Sequence, residues 1–149
     1  MKIFKKSFLI ALLFAFSVYS VKAQCEEFAQ SECKSDLGNY LHDGNYNATT
    51  LTQGQHIELV KTFYSGLNHR IVVCATNELP DILFEVFDGD RNLIFSNKNE
   101  DYIMMWDFTV ETSQQLIVSI TVPISSDEKF AKSGCTAVLL GFSTGSIGE

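Results

Sequence analysis

The sequence lacks the marks of an enzyme. It has no Gly-x-Ser-x-Gly elbow, no His-Glu-x-x-His pair and no glycine loop of the kind that cradles phosphate. Its three histidines, His42, His56 and His69, stand at no spacing that a tetrahedral metal uses. No internal repeat and no low-complexity linker interrupts it, which argues against a repeat array or a second domain. Beyond the first residues, no apolar run is long enough to cross a bilayer as a helix. Cations are scarce too, and an acidic chain repels nucleic acid and anionic lipid.

What is present begins with an address. Lys2, Lys5 and Lys6 precede an apolar run from Phe8 to Val18, and Val21-Lys22-Ala23 supplies a small-residue cleavage site. The expectation is a signal peptide over 1–23, bacterial in look, and a secreted or periplasmic product. The rival is a lipoprotein signal with Cys25 as the lipidated residue, against which Gln24 and Lys22 both argue. The leader holds four of the eleven Lys plus Arg and none of the eighteen acids, so seven cations against eighteen acids leave a net charge of −11. The 126 residues that remain suit one domain, taken as 24–142 with a flexible tail over 143–149.

The pattern is that of an all-β chain. Cys25 to about Asp36 has helix-forming composition, with acids early in the run. Strands are expected from Gln55 to Lys61, from Arg70 to Ala75, from Ile82 to Phe87, from Leu93 to Ser96, from Met105 to Val110, from Leu116 to Val122 and from Gly134 to Phe142. Ile71-Val72-Val73 is apolar on both faces, as the centre of a sheet requires. Trp106, Phe108 and Val110 alternate with Asp107, Thr109 and Glu111, which marks one buried and one solvated face. The four runs from Ile82 to Val122 read as an antiparallel β-meander. About seven strands with almost no helix point to an antiparallel β-sandwich or jelly roll with a short N-terminal helix.

Four cysteines in an exported chain imply two disulfides. Cys25 and Cys33, eight residues apart, would be about 12 Å apart along a continuous helix, too far for a bridge. At least one bridge should therefore staple the helix to the sandwich, with Cys33 to Cys135 the favoured pairing and Cys74 inside a central strand.

Two groups of residues are candidate sites. Asp88, Asp90 and Asn92 alternate oxygen ligands as a Ca²⁺ loop does, and Glu100 or Asp101 could complete the shell. Leu93 and Asn99 stand where an EF-hand needs Gly and Glu, so the competing reading is a hairpin turn. Tyr40, Tyr46, Tyr64 and Tyr102 fall in or beside loops, where rings stack on sugars, anchor protein contacts or seal the core. Asn47-Ala48-Thr49 matches a glycosylation acceptor that matters only in a eukaryotic source.

The run from Leu51 to Phe142, with strands at Ile57 and Ile71 and an Asp-Gly-Asp hairpin from Phe84 to Phe95, resembles exported bacterial β-sandwich domains of the pre-peptidase C-terminal type. That resemblance implies a non-catalytic appendage that binds, or aids export of, a larger partner. The reading that follows is an exported, non-catalytic binding module for a protein or glycan, with no cofactor other than a Ca²⁺ ion at the Asp88 loop. The alternatives are a calcium-binding structural domain of a surface assembly and a hydrolase whose site is built from distant residues. A coplanar row of tyrosines would favour glycan, and an apolar patch with a bare sheet edge would favour protein.

Overall fold

The structure, a computed structural model, describes residues 20–126 and 129–145, with side chains from Ala23 onward in the first helix. Most of the expected leader and the last four residues of the expected tail lie outside the described residues.

Among these, one helical run and nine strands form two sheets. The helical run starts upstream of the Cys25 start expected from the sequence. It is α-helical over Ser20–Phe28 (α1), a π turn over Ala29–Cys33 and a 3-10 turn over Lys34–Leu37. Ser31 Oγ donates to Phe28 O at 3.3 Å inside the run, a competing bond of the kind that loosens a helix. Gly38 then ends it with a φ of +56° that suits glycine.

Sheet A contains β1 (Leu41–His42), β2 (Ala48–Thr52), β4 (Asn68–Ala75), β7 (Met105–Thr109) and β9 (Ser133–Ser143). Sheet B contains β3 (His56–Phe63), β5 (Leu83–Phe87), β6 (Leu93–Ser96) and β8 (Gln114–Thr121). The order in sheet A is β1-β9-β4-β7, with β2 also on β9; in sheet B it is β3-β8-β5-β6. Every pairing is antiparallel. The β-sandwich class expected from the alternation is therefore the class observed.

The expected meander is not formed. The β5–β6 hairpin exists, but β7 pairs with β4 in the opposite sheet, and β8 lies between β3 and β5. The connection after β6 causes this. A 3-10 turn (Asn97–Asn99) and two left-handed residues, Asp101 (φ 51°) and Tyr102 (φ 57°), redirect the chain across the sandwich. Asn97 holds the corner from within. It is fully buried, accepts from Phe84 N and donates to Ile82 O, each at 2.9 Å. β1 and β2 were not expected; both depend on β9 for their pairing.

Between the sheets the inward positions form one core: Phe84, Val86, Leu116, Val118 and Ile120 from sheet B meet Ile71, Val73, Val138 and Leu140 from sheet A. Trp106 is half-buried against this core rather than central to it. It is stacked between Phe95 (4.8 Å) and Phe108 (4.1 Å), and Phe63 closes the row edge-on at 5.0 Å.

Candidate docking surface

The outer face of sheet A is covered. Ala29, Cys33 and Leu37 of the helical run pack on Val72, Ala137 and Leu139. Two disulfides fasten the cover: Cys25 to Cys135 and Cys33 to Cys74, with Cα separations of 5.2 and 6.0 Å. Cys25 and Cys33 are not paired with each other, and the favoured Cys33–Cys135 pairing is replaced. The helical run crosses the strands instead of following one. Cys25 lies near β2 and β9, within 3.3 Å of Thr50 Oγ1, and Cys33, further along the run, has moved over to β4.

Arg70 adds a polar fastening. It donates to both carboxylate oxygens of Asp107 (2.7 and 2.6 Å) and to Asp36 O at the end of the helical run (3.0 Å), and its guanidinium lies 4.5 Å from the Tyr40 ring centroid. Burial, and then the Asp107 charge, push the Tyr40 hydroxyl above its ordinary pKa. Gly141 makes room for this corner, since a Cβ there would sit 2.6 Å from Tyr40 Cβ.

The outer face of sheet B carries no such cover among the described residues. Strand register places Val60 beside Ile117, Ile117 beside Phe87 and Phe87 beside Leu93. A bulge between Val86 and Phe87 sets two residues of β6, Leu93 and Ile94, against one of β5. The result is an apolar row four strands wide. Its ends are open, with Val60 55% and Leu93 53% exposed. The next row is polar: Glu58 lies beside Ser119, and Ser119 beside Glu85. Arg91, left-handed at φ 64° in the β5–β6 turn, reaches over β8 to hold both Glu58 oxygens at 2.8 and 2.9 Å. The same bonds keep the Glu58 carboxyl below its ordinary pKa.

Among the described residues, the β3 edge is free of a second strand. Val122 N donates to Gln55 O. The ladder alternation that follows turns the backbone groups of Glu58, Val60 and Thr62 toward this free edge.

At that edge the sheets part around a cleft of about 380 Å³. Phe63 and Lys61 line it from β3, Leu140 and Phe142 from β9, and Leu67 and His69 from the β3–β4 connection and the start of β4. Tyr64 and Asp43 stand at its rim. His69 is 4% exposed, and its Nε2 is 2.9 Å from Tyr64 O. A carbonyl only accepts, so Nε2 carries the hydrogen. Lys61 Nζ and Asp43 Oδ2 are 4.0 Å apart.

The remaining candidates fall in separate places. Asp88 Oδ1 accepts from the N–H groups of Asp90 (2.9 Å) and Asn92 (2.8 Å), and Oδ2 accepts from Asn92 Nδ2 at 2.8 Å. These bonds, the Asn92 side chain foremost, hold the Asp88 carboxyl below its ordinary pKa. The loop is thus a hydrogen-bonded turn at the end of the β5–β6 hairpin. The tyrosines do not form a row. Tyr40 is buried beneath Arg70, Tyr46 packs against His42 (4.7 Å) and the cluster under the helix, and Tyr64 and Tyr102 are exposed at different corners. His56 and His69 are on strands of opposite sheets. Asn47 donates its amide to Val138 O at 2.9 Å, so in this structure the atom a glycan would take is engaged. Among the described residues, no three His, Cys, Asp or Glu side chains converge as a metal site, and no helix is long and apolar enough to cross a membrane.

Sequence reasoning did not single out Lys61, Arg91 or Asn97. The signal for Lys61 was available. It occupies the inward parity of Ile57 and Leu59, where a charge is out of place.

No family model matches the chain, and no curated protein does. One solved structure similar to it is the crystal structure of PliG from Aeromonas hydrophila, a periplasmic lysozyme inhibitor of g-type lysozyme. The two share 9% identity over 66% of this chain and 89% of that one, with a TM-score of 0.45.

Proposed function

We propose that this is an exported, non-catalytic module that docks a protein partner on the outer face of sheet B. The apolar row from Val60 to Leu93 carries the reading. An apolar patch beside a bare strand edge is what a protein interface needs. The partner has a basic surface, because Glu85 flanks the row and the chain after its expected leader has a net charge of −11. A glycan platform fits less well. The rings of Phe95, Trp106 and Phe108 lie face to face with one another, 15° and 12° from parallel, which leaves those faces unavailable to a sugar. Two disulfides suit an oxidising compartment outside the cytoplasm.

A photo-crosslinking residue at Val60 tests the face, with one at Glu27 on the helix as the reference. The expected result is a basic protein captured from Val60 and not from Glu27. Introducing Leu93→Glu and Phe87→Glu should remove the adduct while the circular dichroism spectrum stays unchanged. Capture from Glu27 alone, or an adduct that survives both substitutions, overturns the reading.

A further inference from the structure

The cleft at the β3 edge opens beside the docking face and has a chemistry of its own. Its walls are apolar, from Phe63, Leu67, Leu140 and Phe142, and its volume of about 380 Å³ falls within the range of small-molecule sites. Two opposite charges meet at its mouth. Lys61 comes from an inward-facing position of β3, and Asp43 is fixed by its own N–H, which donates to Leu140 O at 3.0 Å. Asp43 Oδ1 also accepts from Asn45 N at 2.8 Å. The two side chains are 25% and 22% exposed, and the charges stand 4.0 Å apart, at the outer limit of an ion pair. Each retains hydrogen-bonding capacity toward a third group.

We infer that the cleft binds a free α-amino acid with a large apolar side chain. Such a molecule carries a carboxylate and an ammonium on one carbon and an apolar body behind them. The carboxylate meets Lys61, the ammonium meets Asp43, and the side chain enters the cavity between Phe63 and Phe142. The ligand has no net charge, so the acidity of the protein as a whole neither repels nor attracts it. A simple carboxylate would satisfy Lys61 and face Asp43 unfavourably; a simple amine would do the reverse.

Calorimetry and NMR with L-phenylalanine test the site on the intact protein. L-phenylalanine at millimolar concentration should shift the signals of Phe63, Leu140 and Phe142. 3-Phenylpropionate, which lacks the ammonium, and phenethylamine, which lacks the carboxylate, should each bind about tenfold more weakly, the loss of one charge-assisted hydrogen bond. In Lys61→Met the preference for L-phenylalanine over phenethylamine should vanish, and in Asp43→Asn its preference over 3-phenylpropionate should vanish. The three ligands on the unaltered protein decide the matter even if a variant fails to fold. Equal binding of all three, or no shift with L-phenylalanine, overturns the inference.

Discussion

The two outer faces of the sandwich solve one problem in opposite ways. Sheet A presents Val72, Ala137 and Leu139 outward and covers them with a helical run. That run has little apolar surface, since among its described side chains only Cys25, Ala29, Cys33 and Leu37 are buried, and two disulfides and Arg70 make up the deficit. Sheet B presents Val60, Ile117, Phe87 and Leu93 outward with no element above them among the described residues. Ile117 is nevertheless only 9% exposed, and Ser119 6%, beneath the Arg91–Glu58 pair that spans their strand. A weak cover has to be fastened, whereas the apolar row of sheet B is crossed, among the described residues, by the Arg91–Glu58 side-chain pair and left open at its ends.

The largest effect should come from releasing the cover. The Cys25–Cys135 bridge closes a separation of 110 residues and Cys33–Cys74 one of 41. In the chain-entropy account these contribute up to about 5 and about 4 kcal/mol. Denaturation of Cys25→Ala/Cys135→Ala and of Cys33→Ala/Cys74→Ala should show losses in that order. If both are below about 1 kcal/mol, the cover holds by packing alone.

A pair of truncations compares the faces directly. Leu139→Ala, under the helix, should cost about 2–5 kcal/mol. Leu93→Ala, on the open face, should cost less than about 0.5 kcal/mol. Equal losses in urea melts would mean that sheet B is also covered.

Smaller still is the effect of a backbone change at the free edge. Val60→Pro removes an N–H that faces solvent, so the thermal midpoint should stay within a few degrees of the original. A collapse of stability would show that this N–H belongs to the β8 ladder, and that the edge assignment is reversed.

The acid limb tests the Glu58 clamp. Arg91 lowers the folded-state pKa of Glu58. The contribution of the pair is therefore complete above the ordinary glutamate value and is lost as pH falls through the lower, folded value. Arg91→Gln should lower stability slightly at neutral pH, leave it unchanged below the folded value and so flatten the limb between them. An unaltered acid limb would assign it to other carboxyls. At the same end of sheet B, millimolar Ca²⁺ should leave the melting temperature where it is, because Asp88 already directs both oxygens into its own turn. A rise that Asp90→Ala abolishes would reinstate the cation loop.

Much of the fold was legible because alternation depends on local facts. Trp106 and Phe108 face inward where the sequence placed them, and Ile71-Val72-Val73 is buried on both faces. The topology was not legible in the same way. β7 leaves the expected meander because of Asn97, whose buried amide bonds to Ile82 and Phe84 arise from contacts across the fold. Nothing in Ser-Asn-Lys-Asn announces that role. β2 was missed because Thr49-Thr50-Leu51-Thr52 alternates weakly and is ordered by β9, more than eighty residues later. The bridge pattern depended on the angle at which the helical run crosses sheet A, a quantity that residue spacing does not carry. Of the candidate surface, the Asp88 turn and the exposed Tyr64 could be read, but the row from Val60 to Leu93 draws one or two residues from each of four strands and appears only once the register is set.

The central place of β9 has a consequence for synthesis. It is the last strand among the described residues, and it is the one that β1, β2 and β4 all pair with. Sheet B is complete by Thr121, so its four strands can assemble on a chain that is still emerging. Sheet A at that moment has only its β4–β7 pair, and Cys25 has no Cys135 to meet. The open face is thus built first and the fastened face last, since Ala137 and Leu139, on which the helical run lies, come only with β9. A chain stopped short of Ser133 would leave Val72 partly uncovered and Cys25 without its partner, open to disulfide exchange.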